Sequence, residues 1–200
     1  MTIPPDTTMS PLADRAHNGT PPDATAKRVV VGSPYWSEGV MGPQGQRLIP
    51  TITHDMSGTT GLSACMVVMP PGGVSRAHVH QNTEIIVVCI EGFAATLIGA
   101  ELQPVFHGPG EFIYIPEGTV HAAVNLSATE RLVAIEARTD PHLNIDVVPT
   151  PEHEAHLEEI AAQLRSRYAS GDLETPPHWR TGEQGPFAFQ DDRLRDAAHG

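Results

Sequence analysis

From Arg28 to about Val148 the apolar residues fall in short runs, none with the period of a helix. Nine runs are rich in Val, Ile, Ala and Thr: residues 28–32, 47–55, 63–73, 74–80, 84–92, 93–100, 111–116, 119–127 and 131–137. Gly and Pro punctuate them at close spacing, as turns between short strands require. This texture predicts an all-β barrel or sandwich over residues 28–148. Beyond Val148 the period changes. Leu157, Ile160, Ala161, Leu164 and Tyr168 recur at i, i+3, i+4, i+7 and i+11, one apolar stripe of a helix. Thr150 is placed to cap it, Pro151 suits its first position and Gly171 its end. The stripe would pack on the outside of the barrel or on a partner subunit.

The two ends read differently. Residues 1–27 carry five prolines and no periodic apolar pattern, and are expected to form a mobile arm, or in part a strand ordered only in an oligomer. Residues 149–200 hold the helix and then, from about 172, an irregular extension of Pro, Gly and aromatics that has the length to cover a barrel mouth.

Composition removes several functions. The chain has 200 residues, with 24 Asp+Glu against 12 Lys+Arg and a formal charge of −12. It lacks the cationic surface that non-specific nucleic-acid binding needs, and anionic lipid headgroups would repel it. Lys27 is the one lysine and sits in the polar arm, which argues against Schiff-base chemistry. Cys65 and Cys89 lie inside apolar runs and are expected to be buried reduced thiols, a single disulfide being the alternative. No apolar stretch approaches the roughly 20 residues of a membrane helix, and no signal-peptide pattern opens the chain, so a soluble cytoplasmic protein is expected. The Arg-over-Lys bias points to a GC-rich bacterial source.

The chemistry concentrates in two segments. In the first, Gly72 precedes Arg76, His78 and His80, and Glu84 follows after a short polar break. On a strand, residues two apart share a face, so Arg76, His78 and His80 are expected to point together. Two imidazoles and a carboxylate converging in this way can chelate a divalent transition metal; the alternative is two surface histidines on a polar face. The second segment runs Gly110, Pro116, Gly118, His121, Asn125 and supplies a third histidine just after a Pro-Glu-Gly turn. Residues 93–109 form the loop and strand pair between them.

Together these segments resemble the paired motifs of the cupin superfamily, G-x5-H-x-H-x3–4-E-x6-G and G-x5-P-x-G-x2-H-x3-N. The second fits at every fixed position. The first fits at Gly72, His78, His80 and Glu84, with Gly92 one residue late, which leaves either a bulge in the following strand or Ile85 at the carboxylate position. The resemblance implies a double-stranded β-helix of jelly-roll type, with one divalent transition metal per chain held by His78, His80, Glu84 and His121. Iron is the first expectation, and Mn, Ni, Co, Cu or Zn would suit the same donors.

Other residues carry secondary expectations. Arg76 would bind a substrate carboxylate or form a salt bridge at the barrel mouth. Tyr114 would line the pocket or pack. Ala123 shares the parity of His121 and would leave room near the metal. Asn125 is read as stabilising a turn, His54 and His107 as structural, and His153 and His156 as solvated. The implied function is a metal-dependent enzyme acting on a small organic molecule, with a dioxygenase first and a non-redox lyase, isomerase or cyclase second. A non-catalytic small-ligand-binding cupin is the alternative class. No helix-turn-helix pattern accompanies the barrel, which argues against a transcriptional regulator. Metal-free epimerase and storage roles are disfavoured because neither needs the full donor set. The resemblance, with the arm and the helix as added contact surface, also implies a homodimer.

Overall fold

The computed structural model describes residues 29–173. Eleven strands lie in two antiparallel sheets. The six-stranded sheet has the order β1 (Val40–Met41), β2 (Arg47–Ile52), β3 (Ser63–Met69), β10 (Leu132–Arg138), β5 (Ile85–Glu91), β8 (Phe112–Ile115). The five-stranded sheet has the order β11 (Val147–Pro149), β4 (His78–His80), β9 (His121–Asn125), β6 (Ala94–Ile98), β7 (Gln103–His107). Consecutive strands repeatedly cross between sheets, giving the jelly-roll arrangement expected.

Strict alternation builds the interior. Along β3, Cys65, Val67 and Met69 are buried, while Ala64, Met66 and Val68 face outward. These residues join Leu48, Ile85, Val87, Cys89, Ile113, Ile115, Leu132 and Ala134 in one apolar cluster between the sheets. A second cluster lies behind the five-stranded sheet, where Ala77, Ala95, Leu97, Ala122 and Val124 meet Leu157, Ala161 and Leu164. The helical stripe therefore packs on the outside of the barrel. Cys65 and Cys89 are free buried thiols, each pushed up to about 12 by burial.

Several local expectations change. Residues 29–32 form no strand: Val29 is fully exposed, and β1 already occupies the free edge of β2. The 74–80 run is paired as a strand only over His78–His80, with a lone bridge from Val74 to Val124. β1, β7, β11 and a four-residue helix, α1 (His54–Ser57), add to the eight runs that do form strands, β7 completing the strand pair expected over 93–109. Prolines at Pro104 and Pro149 sit on the edge strands β7 and β11, and Pro50 adjoins a bulge in β2, where a missing N–H is tolerated. The helix begins as a 3-10 turn at Pro151–His153 and continues as α2 (Glu154–Ser170). Gly171 ends it in the left-handed region, φ 77°, its N–H bonded to the carbonyls of Arg167 and Tyr168. Thr150 does not cap through its side chain; its hydroxyl is buried without a partner. Glu154 instead ties the helix start to the barrel by accepting from the Ala77 N–H at 2.9 Å.

Gly92 explains the extra residue in the first motif. The β5–β10 register slips between Glu91 and Cys89, so Ile90 is bulged out, and Gly92 follows at φ 84°. A Cβ at Gly92 would lie 2.7 Å from the Arg131 carbonyl oxygen. No helix among the described residues is long and apolar enough to cross a membrane. The sequence readings of residues 1–27 as an arm, and of 174–200 as an extension over the mouth, lie outside the described residues.

Candidate metal centre

β4 carries His78 and His80 on one face because they are two residues apart, and β9 places His121 directly opposite His78. The ring centroids of His78 and His121 are 4.2 Å apart, with His80 at 5.3 Å from His78 and 5.6 Å from His121. All three are buried, and one ring nitrogen from each lies within 4.8 Å of the other two.

The second nitrogen of every ring is held. His78 Nδ1 bonds the Arg76 carbonyl at 2.8 Å, His121 Nδ1 the Thr119 carbonyl at 2.9 Å, and His80 Nδ1 the Asp146 carboxylate at 3.1 Å. Each partner is an acceptor, so each Nδ1 carries the proton and each Nε2 keeps its lone pair for the centre. His80 Nε2 is buried and has no hydrogen-bond partner. A buried orphan acceptor beside two similar nitrogens is costly alone and is satisfied by a metal ion.

Electrostatics agree with neutral rings. Burial, and then the neighbouring His121, lowers His78 to about 2. Burial lowers His121 to about 4 and also lowers His80. Asp146 stays below the usual carboxylate range although burial opposes it, because the Asn82 N–H, the Thr83 hydroxyl and His80 all bond its oxygens.

Glu84 is not brought to this cluster. Thr83 turns inward to Asp146 and Ile85 turns inward to line the cavity, so alternation sends Glu84 to the exposed face. There it accepts a 2.5 Å hydrogen bond from Tyr114, which neither lines the pocket nor packs inside and is 56% exposed. Arg76 also points out. Between Val74 and His78 the chain leaves the regular ladder, the Arg76 N–H bonding the Gln44 carbonyl, and the inward parity slips: Ser75 faces the cavity and its hydroxyl accepts from the Ala123 N–H, while Arg76 is exposed. Its carbonyl, not its guanidinium, serves the site. Ala123 lines the cavity. Asn125 bonds Pro70, Glu130 and Ser127, a turn-stabilising role. His54 bonds the Thr59 carbonyl beside His142, and His156 is exposed.

The wall facing the histidines holds two charges absent from the motifs. Glu136 and Arg138 sit two apart on β10 and both point inward. Arg138 bonds Glu136 Oε2 through Nε and Nη2, and its Nη1 donates to the Leu143 carbonyl and to Asn144 Oδ1, both at 2.6 Å. His107 also reaches the interior, bonded to Thr96 at 2.8 Å, with its Nδ1 buried and unpartnered and its pKa lowered by burial to about 4. The signal for Glu136 lies in the last run and that for Arg138 just past it, both sharing the parity of buried Leu132 and Ala134. Asp146 has no comparable signal, being 66 residues from His80. The cavity measures about 30 Å³, room for roughly two waters.

Residues 65–137 match the family model of the cupin domain, Cupin_2. No curated protein matches the chain. Among solved structures, the chain is similar to a double-stranded beta-helix domain protein of Klebsiella pneumoniae, at 16% identity and a TM-score of 0.48 over 62% of this chain and 98% of that one. It is also similar to KdgF from a Halomonas species, at 18% identity and a TM-score of 0.47 over 57% and 96% of the two chains. The cupin domain of Schizosaccharomyces pombe Cnp3 matches at 12% identity and a TM-score of 0.42, over 48% and 62%. The family match spans the strands that carry all three histidines and the facing Glu136, so residues 65–137 are a cupin domain.

Proposed function

We propose that this protein is a metal-dependent enzyme acting on a small organic molecule, and that its reaction is a dioxygenation. The observation that carries the reading is the convergence of three buried imidazoles whose Nδ1 atoms are all held by acceptors. His78, His80 and His121 would hold the ion. Three nitrogen donors, with Glu84 turned away, leave more open positions than four, and a bound Fe(II) would supply O2 activation beside a coordinated substrate. The chain's own part is to keep the rings neutral, fix their tautomers through Arg76, Thr119 and Asp146, and surround the centre with apolar side chains. Val67, Val87, Ile115 and Leu132 line the cavity there.

A second reading, a non-redox lyase, isomerase or cyclase, is favoured by one observation. Glu136 is a carboxylate on the cavity wall, anchored by Arg138 and placed to take and return a proton. Metal content and oxygen uptake separate the two. Iron near one per chain, with O2 consumed on addition of one member of a small-acid and phenol panel, supports the dioxygenase. Turnover of a panel member that is undiminished without O2 supports the second reading. A protein that takes up no metal on reconstitution contradicts both.

A further inference from the structure

We infer that the inner end of the cavity binds an uncharged carbonyl oxygen of the substrate, with His107 as its donor, which rests on the enzyme reading above and gives that enzyme its substrate class. β6 spans the two ends of the cavity. Ile98 pairs with His121, Thr96 with Ala123, and Ala94 with both Asn125 and His107. At about 3.3 Å per residue, Thr96 lies about 7 Å along the strand from the level of His121, and His107 about 13 Å. Met69 and Leu132 pair across the facing sheet and share one apolar cluster with Ala94. Three polar side chains join them on the cavity wall: Thr96, His107 and Gln46.

The hydrogen bonds at this end identify the donor. The Thr96 hydroxyl has one partner, His107 Nε2 at 2.8 Å. Were the ring to donate, the hydroxyl proton and the Nδ1 lone pair would both be buried unpaired. With the hydroxyl donating, the Nδ1 proton alone is left, which is the cheaper arrangement. His107 is only 4% exposed, so it holds a buried N–H with no acceptor in the protein. Burial keeps the ring neutral, its pKa lowered to about 4. Gln46 offers a second donor, since its Nε2 is spent on the Met69 sulfur at 3.5 Å, a weak acceptor. Both groups call for an acceptor oxygen. A carboxylate is the wrong one, because no cationic side chain among the described residues lines this end. Arg138 is bonded to Glu136 and acts on the three metal-site histidines instead. The charge felt by His107 is the Glu111 carboxylate, whose Oε2 accepts from the Gly108 N–H. A ketone, aldehyde or amide oxygen needs no cation, and about 30 Å³ of space admits only a small group.

Nitrogen NMR of the histidine rings in the full-length, zinc-loaded protein tests this. His107 is expected to be neutral and protonated at Nδ1 from about pH 5.5 to 8. Acetamide, an uncharged probe, should shift its Nδ1 signal saturably, with a dissociation constant on the order of 10 mM. Acetate, of the same size, should leave that signal in place whatever it does at the metal. In His107→Phe the acetamide affinity, read at the Leu132 methyl groups, should fall about tenfold or more. His107→Gln keeps an N–H donor and should restore part of it. Where circular dichroism shows that a variant does not fold, the wild-type tautomer and titration decide. Zinc content of the same samples keeps two failures apart. A wild type that takes up no zinc contradicts the enzyme reading, and the His107 response is then read on the metal-free protein. A ring protonated at Nε2, no saturable shift with acetamide, or acetate bound at His107 as tightly as acetamide overturns the assignment.

Discussion

The two walls of the barrel divide the labour unequally. The five-stranded wall presents Ser75, His78, His80, Thr96, His107 and His121 to the cavity, most of its inward positions being polar. The six-stranded wall presents Val67, Met69, Ile85, Val87, Ile115, Leu132 and Ala134, interrupted by Gln46 and the Glu136–Arg138 pair. Metal-binding nitrogens thus come from one sheet, while the other supplies an apolar lid and a single anchored carboxylate. The contrast shows that the site depends on two kinds of support. On the histidine side it is hydrogen bonds to the back of each ring; on the facing side it is burial and one ion pair.

The sharpest break should come on the histidine wall. His121→Ala, or His78→Ala, is expected to lose nearly all bound metal and most activity while the barrel stays folded, as read by elemental mass spectrometry and circular dichroism. On the facing wall the effect should be on stability. Arg138→Met leaves the Glu136 carboxylate buried without its cation, and a loss of about 3–5 kcal/mol is expected by urea unfolding. Adding Glu136→Leu to that variant should recover much of it, because no lone charge then remains. Behind the histidine wall, Leu157→Ala should cost about 2–5 kcal/mol by emptying the helix–sheet cluster while leaving metal content unchanged.

Acid should act through the histidine wall of the metal-free protein. His78, His80 and His121 are neutral when folded, with His78 lowered to about 2 and His121 to about 4, against about 6.5 unfolded. The unfolded chain therefore binds more protons once the pH falls below 6.5. Stability should be level above pH 7, drop as pH falls from 6.5 toward 4, and keep dropping toward 2 through His78. Unfolding curves at stepped pH check this; a midpoint unchanged from pH 7 to 4.5 would contradict neutral buried rings. The smallest effect belongs to the outer surface. Glu84→Gln and Tyr114→Phe should each change stability by less than about 1 kcal/mol and leave metal content unaltered.

Much of this architecture is legible in the order of residues alone. Period-2 alternation marks the barrel, the i, i+3, i+4 stripe marks α2, and the His-x-His spacing with the later histidine marks the three donors. Asn125 and Gly171 also take their expected roles. Side-chain direction departs from expectation where the chain leaves regular strand geometry. Arg76 lies in the irregular stretch before β4, so counting back by two from His78 gives the wrong face. Glu84 lies just before β5, where Thr83 and Ile85 already claim the inward positions. Glu136 and Arg138 have a visible parity, yet charged residues in an apolar run look like a strand's solvent face until the register is known. Asp146 carries no local signal at all. It reaches His80 through the pairing of β11 with β4, a contact between distant segments.

The central claim is that three histidines, without Glu84, hold one divalent metal. Elemental mass spectrometry on anaerobically purified wild type, Glu84→Ala and His121→Ala, each reconstituted with Fe(II), tests it most directly. The account predicts close to one iron per chain in the wild type and in Glu84→Ala, and almost none in His121→Ala. An empty Glu84→Ala, or a fully loaded His121→Ala, would contradict it.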